Sequence, residues 1–297
     1  MSKIMECIPN ISEGRRKEVI EAVADEIRST PGVTLLDYSS DESHNRSVFT
    51  LLGDPVQVSE AAFKLAKKAE ELIDLNVHHG EHPRMGAVDV IPFVPIKEMD
   101  SKECVELSVK LAERIANELD IPVFLYEDSA TAPHRKNLAA IRKGQFEGMA
   151  EKVHDPKWHP DFGGERIHPT AGVVAVGARP PLIAFNINLD TPDVNIANNI
   201  AKIIRESSGG LRAVKSIGIM LEDRNIAQVS INMCNYKQTP LYRVFELVKI
   251  EAARYGVRVI GSEIIGLTPM EALVDTADYY LKIEKFDKHQ VLESHLL

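Results

Sequence analysis

The densest group of chemically able side chains is His78-His79-Gly80-Glu81-His82-Pro83-Arg84-Met85-Gly86. Three histidines, a glutamate and an arginine fall within seven residues there. Gly80 and Pro83 oppose a helix, so the stretch reads as a loop. Histidine, with an intrinsic pKa of ~6.5, can take and return a proton at neutral pH. Metal binding is the competing chemistry, because His78 and His82 stand four apart. That spacing puts two rings on one face only along a helix. No cysteine or second histidine pair nearby completes a tetrahedral set, so no metal is expected. A solvated, histidine-rich loop fits the composition as well as proton transfer does.

Three further segments carry polar groups that could hold a ligand. Asp41-Glu42-Ser43-His44-Asn45-Arg46 lies between two predicted strands. Asn45 and Arg46 suit a carboxylate, arginine in a bidentate manner, although the same residues make an ordinary polar turn. Asp161-Phe162-Gly163-Gly164-Glu165-Arg166-Ile167-His168-Pro169-Thr170-Ala171-Gly172 is bounded by glycines, which let backbone N–H groups approach a flat or anionic ligand. Its glycine spacing matches neither the dinucleotide nor the P-loop fingerprint, and an interdomain linker reads equally well. Gly177-Ala178-Arg179 precedes Leu182–Leu189, where Asn186 and Asn188 share one face of a strand. Asparagine runs against strand propensity, and such conflicts tend to fall at functional sites, though an edge strand's polar face would look the same.

The elements that must position these groups follow from periodicity. A strand at 3–9 leads to a helix at 15–28, with Val19, Ile20, Val23, Ala24 and Ile27 at helical spacing and Ser12 as a start signal. Strands are expected at 33–37 and 47–52, and a helix at 55–73 opened by Asp54-Pro55. Ala87–Ile96 is an apolar run containing Pro92 and Pro95, so it is expected to be bent or at a sheet edge. A helix at 101–118 and a strand at 122–126 follow. Residues 128–172 read as loop apart from a short helix near 135–142. A second half starts near Gly172, with strands at 173–176 and 182–189. Thr191-Pro192-Asp193 opens a helix to Ile204, with Thr191 as the capping hydroxyl. Strands at 214–220 and 227–233, a helix from Thr239-Pro240 to about 254, a strand at 257–260 and a helix from Thr268-Pro269 complete it. The order βαββαβ, twice, predicts an α+β protein of two ferredoxin-like subdomains with a ligand cleft between them. The expected boundaries are 1–176 and 177–297.

Composition bounds the function class. The 297 residues carry 35 Lys+Arg against 44 Asp+Glu, a net charge of −9, which disfavours gripping nucleic acid through phosphates. Cys7, Cys104 and Cys234 are scattered, which argues against a disulfide framework or a cysteine zinc site and fits a reducing cytoplasm. No apolar run approaches ~18 residues, so no membrane span is expected. The N-terminus has no apolar core of the signal-peptide kind.

A resemblance adds what these residues cannot name. Glu6-Cys7-Ile8-Pro9-Asn10-Ile11-Ser12-Glu13-Gly14, then Asn45-Arg46, then Gly80-Glu81-His82-Pro83-Arg84-Met85-Gly86-Ala87, then Gly177-Ala178-Arg179 with Leu182-Ile183-Ala184-Phe185-Asn186-Ile187-Asn188-Leu189, then Ala227-Gln228-Val229-Ser230, resemble the glutamate formimidoyltransferase family, in order and over nearly the whole chain. The resemblance implies transfer of a formimino group from N-formimino-L-glutamate to N5 of tetrahydrofolate, a step of histidine degradation. It implies His82 as the catalytic residue and Gly163 to Gly172 as the folate-binding loop, led in by Trp158-His159-Pro160-Asp161-Phe162-Gly163. It also implies a homodimer of paired ferredoxin-like subdomains. The family's bifunctional members carry a cyclodeaminase, here expected as a separate downstream protein. Because both substrates carry carboxylates, Arg46, Arg84, Arg166 and Arg179, with Asn45, are the expected anion ligands. Two alternatives stand beside this reading: transfer of a formyl group between 5-formyltetrahydrofolate and glutamate, and a non-enzymatic folate- or amino-acid-binding protein.

Overall fold

The computed structural model describes residues 3–295. The chain forms two compact units, the first ending at Arg179 and the second beginning at Pro180. Among the described residues, two sheets and eight α-helices make it an α+β protein. Among the described residues no helix is long and apolar enough to cross a membrane.

The first unit starts with β1 (Ile4–Cys7) and β2 (Asn10–Ile11), then α1 (Lys17–Arg28), β3 (Val33–Asp41), β4 (Arg46–Gly53) and α2 (Pro55–Leu72). Next come β5 (Val88–Lys97), α3 (Ser101–Leu119), β6 (Val123–Glu127), the short helices α4 (Leu138–Arg142) and α5 (Gln145–Lys152), and β7 (Val174–Ala178). Strand β3 pairs with β4, which lies beside β1 and β2; β5 follows, then β7 and β6. All pairings are antiparallel except β5 with β7 and β6 with β7. Helices α1, α2 and α3 bury their apolar faces with Cys7, Phe49, Ile91 and Phe93 of the sheet. A second cluster joins Val90, Phe124, Tyr126 and Ala175 to Ile141 of α4 and Met149 of α5.

Several local expectations are corrected here. Strand β5 is not at an edge: β1 and β2 flank it on one side and β7 on the other. Pro92 lies opposite the interruption between β1 and β2, while Pro95 faces Met5 beside a register shift and beyond the β7 pairing, which ends at Phe93. The Pro92 carbonyl still accepts the Ile8 N–H at 3.2 Å. Ser12 does not start α1: its hydroxyl donates to the Gly86 carbonyl at 2.7 Å. Helix α5 lies where loop was expected, entered through Gly144 at φ +99°, a conformation suited to glycine. The strand expected to open the second half, β7, belongs to the first sheet.

The second unit runs β8 (Ile183–Leu189), α6 (Val194–Ile204), β9 (Val214–Leu221), β10 (Ile226–Met233), α7 (Leu241–Ala253), β11 (Val259–Ile265) and α8 (Met270–Leu281). Its sheet is antiparallel throughout, in the order β11-β8-β10-β9. Phe185, Ile187, Val229 and Ile231 pack with Ile200 and Val244 of the covering helices. The cap of α6 is Asp193, which accepts the Asn195 N–H at 2.9 Å, whereas Thr191 accepts the Asp193 N–H. Thr239 likewise caps nothing, since its hydroxyl donates to the Arg212 carbonyl at 2.7 Å.

Candidate active site

The turn between β3 and β4 is fixed by Asn45. Its φ of +49° lies in the left-handed region, which asparagine tolerates better than most residues. Its Oδ1 accepts the Gly14 N–H at 2.9 Å and its Nδ2 donates to the His79 carbonyl at 3.0 Å. The His78 ring meets the Asn45 carbonyl at 2.9 Å. Asn45 is therefore buried and fully engaged in joining the turn to the histidine loop. Gly80 makes that junction possible, because a Cβ there would stand 2.2 Å from the His44 carbonyl oxygen. The Glu81 N–H donates to Ser43 at 3.1 Å, and the two loops are thereby docked.

This docking places His82 on Arg46, the first residue of β4. The Arg46 guanidinium reaches His82 Nδ1 at 3.0 Å, Asp89 Oδ2 at 3.1 Å and Asn10 Oδ1 at 2.9 Å. Asp89, on β5, is fully buried. Its Oδ1 accepts the Met85 N–H at 3.0 Å, and its Oδ2 also takes an N–H from Arg142 at 2.5 Å. One carboxylate thus stands between two guanidinium groups. Arg142 Nε is buried with no hydrogen-bond partner.

The contact with Arg46 determines the chemistry of His82. A guanidinium can only donate, so Nδ1 is the acceptor and the ring proton resides on Nε2. Burial, reinforced by Arg46 and Arg142 and opposed by Asp89, lowers the His82 pKa from 6.5 to about 4. At neutral pH the ring is uncharged and able to gain a proton. His44 stands edge-on to it, ring centroids 6.0 Å apart, and pairs with Asp41 at 3.0 Å.

The other expected anion ligands lie elsewhere. Arg84 is buried and makes a two-pronged ion pair with Glu147 at 2.6 and 2.8 Å, while its Nε donates to His78 Nδ1 at 3.2 Å. It holds α5 against the histidine loop rather than reaching His82. That pairing holds the Glu147 carboxyl at about 2. Arg179 is hydrogen-bonded to Tyr126 and lies near Glu6, whose pKa is raised by burial. Arg166 is exposed on the 163–172 loop.

That loop has two parts. Gly163 (φ +91°) and Gly164 (φ +74°) take left-handed conformations, and the space over Gly164 is open. Glu165 pairs with His154 at 3.2 Å and His159 at 3.3 Å. From His168 to Gly172 the chain is stitched down: Ala171 N–H donates to His168 Nδ1, Leu75 N–H to the Thr170 carbonyl and Ala87 N–H to the Ala171 carbonyl. Pro169 lies in the same turn, its carbonyl accepting from Asn76 at 2.9 Å, and Ile167 packs against the cluster over α4 and α5. The end of the loop is thus paired with the strand that directly follows the histidine loop.

Asn10, Asp89, Arg142 and Tyr126 were not anticipated. Asp89 had a signal, being the lone acid in the apolar run Ala87–Ile96. A charge there needs a buried partner.

A family model of the formiminotransferase domain, N-terminal subdomain, matches residues 4–179, and one of the formiminotransferase domain matches residues 184–296. The chain belongs to the formiminotransferase family. It is 64% identical over 298 residues to a Streptococcus pyogenes serotype M1 protein named glutamate formimidoyltransferase, covering 100% of each chain. A protein of the same name from Thermoplasma acidophilum is 47% identical, over 98% of this chain and 96% of its own. The formimidoyltransferase-cyclodeaminase of Dictyostelium discoideum is 44% identical over 96% of this chain, which spans 54% of that longer protein. The two family matches fall one in each compact unit.

Proposed function

We propose that this formiminotransferase-family protein acts as a glutamate formimidoyltransferase, moving the formimino group of N-formimino-L-glutamate to N5 of tetrahydrofolate. The observation that carries the reading is 64% identity, over the full length of both chains, to a protein of that name. The site chemistry is compatible. N5 attacks the formimino carbon and a tetrahedral adduct forms. The adduct then loses a proton from N5, its bond to the glutamate nitrogen breaks, and that nitrogen takes a proton. No water enters, and the products are 5-formimidoyltetrahydrofolate and L-glutamate.

His82 is our candidate for carrying the proton between the two nitrogens. Its neutral state at pH 7 makes it an acceptor, and its low pKa makes it ready to pass the proton on. Nδ1, the nitrogen with the free pair, faces Arg46 in the free protein, so accepting there requires Arg46 to turn to another anion. Holding both substrates in register would supply much of the acceleration. For the folate we favour the 163–172 loop, whose open face over Gly164 admits a flat ring while its far end is anchored beside the histidine loop. The finer architectural reading is that each unit is a ferredoxin-like βαββαβ fold, in the first unit extended by β6 and β7. A cytoplasmic homodimer, working with a separate cyclodeaminase, completes the proposal.

The test is an assay of purified protein with N-formimino-L-glutamate and tetrahydrofolate, following 5-formimidoyltetrahydrofolate, with 5-formyltetrahydrofolate and glutamate in parallel. Formimino transfer is expected to be the faster reaction. Turnover with the formyl donor alone, or with neither, would overturn the reading.

A further inference from the structure

The cluster around Asp89 has an excess of one positive charge. Arg46 and Arg142 share a single carboxylate, both guanidinium side chains are mostly buried, and Arg142 Nε has no partner. Buried cations are ordinarily matched one for one by acceptors, because an uncompensated charge away from water is costly. Two acids on adjoining segments are already engaged: Glu147 pairs with Arg84, and Asp41 with His44. Arg46 itself touches His82, the residue that must reach the reacting nitrogen of the donor. A carboxylate arriving here would supply the missing charge and give Arg46 an anion to turn to, uncovering Nδ1 of His82.

We infer that Arg142, together with Arg46, is the binding site for the α-carboxylate of the amino-acid donor. The inference rests on the transferase reading above. The α-carboxylate is the one chosen because only one carbon separates it from the nitrogen that carries the transferred group. A carboxylate that near the reacting atoms must lie within reach of the groups that contact His82. Asp89 is then a positioning residue, holding the two guanidinium groups together while neutralising only one of them. Arginine suits this role through its fork of donors, two of which can serve Asp89 while others face the ligand.

The experiment compares Arg142→Gln with the wild type on three donors: N-formimino-L-glutamate, 4-(formimino)aminobutyrate, which lacks the α-carboxylate, and N-formimino-2-aminobutyrate, which lacks the γ-carboxylate. Arg142→Gln leaves Asp89 paired with Arg46. If that variant fails to fold, Arg142→Lys, which keeps the charge but loses the fork, is put through the same comparison. The expected result is a fall of roughly 10- to 100-fold in kcat/KM for formiminoglutamate, the cost of one charged hydrogen-bond partner. The KM for tetrahydrofolate should not change, and at a pH well above the His82 titration, where loss of the Arg142 charge leaves that ring neutral, the fall on 4-(formimino)aminobutyrate should be several-fold smaller than on formiminoglutamate. If deleting the α-carboxylate and mutating Arg142 multiply their losses, or the folate KM moves instead, the inference is wrong while the transferase reading stands. If the wild type transfers no formimino group, the reading fails. Calorimetry with L-glutamate and 4-aminobutyrate then decides the inference. Glutamate binding weakened about tenfold or more in the variant, with 4-aminobutyrate unaffected, supports it. No binding to the wild type, or equal binding to both proteins, overturns it.

Discussion

At the residue scale, the proposed role of His82 depends on which of its nitrogens is free and how strongly it holds a proton. The guanidinium of Arg46 fixes the tautomer, while burial and two positive neighbours lower the pKa to about 4. The sign of the resulting pH dependence is set by that direction. A base depressed below its ordinary 6.5 remains unprotonated, and active, until the pH falls toward 4. The acid limb of kcat/KM, which reports the free enzyme, is expected near pH 4. A limb centred near 6.5 would mean that neither burial nor the cationic pair acts on His82. His82 and Arg46 stood out in the sequence as candidates, because glycine and proline mark their loops, and the structure brings the two into contact at 3.0 Å. Arg142 carried no such mark and Asp89 only that of a lone acid in an apolar run, since their meaning lies in contacts across 53 and 43 residues of chain.

Among the elements, the decisive feature is the docking of the histidine loop on the β3–β4 turn. Gly80 permits it and Asn45 ties it down. Gly80→Ala would push a methyl group into the backbone of His44. We expect a loss of about 1–3 kcal/mol in stability, from overpacking against atoms that cannot rotate away. kcat should fall with it, because the loop bearing His82 lifts off Arg46. Thermal melts and a turnover assay check both, and a variant with wild-type melting and kcat would show that the docking does not position His82. Helices α1, α2 and α3 and the strands pairing with their neighbours were readable from period alone. Two features escaped it. A proline-containing strand expected to be bent or at an edge proved central, because a local rule cannot see that the adjacent strand breaks opposite Pro92. Strand β7 was assigned to the second half, because parallel pairing with β5 and β6 leaves no local mark.

For the molecule as a whole, the question is how a chain of net charge −9 attracts two anionic substrates. A net negative surface would repel them at long range, where salt screens well, while in the proposed site Arg46 and Arg142 would act at short range and largely out of water. Raising ionic strength from about 0.1 M to about 1 M shortens the Debye length from ~10 to ~3 Å. The repulsion is screened more than the attraction, so kcat/KM for the donor should hold level or rise with salt. A tenfold fall would show that exposed cations, rather than this buried pair, recruit the substrate. The doubled βαββαβ order was the most legible feature at this scale, since each half repeats the same alternation of periods.

The most direct test of the central claim, that His82 carries the proton in formimino transfer, is to measure turnover and tetrahydrofolate affinity together in His82→Ala. The account predicts turnover reduced by ~10² or more with folate affinity retained, as expected when a positioned acid–base group is removed. Turnover close to that of the wild type would contradict it.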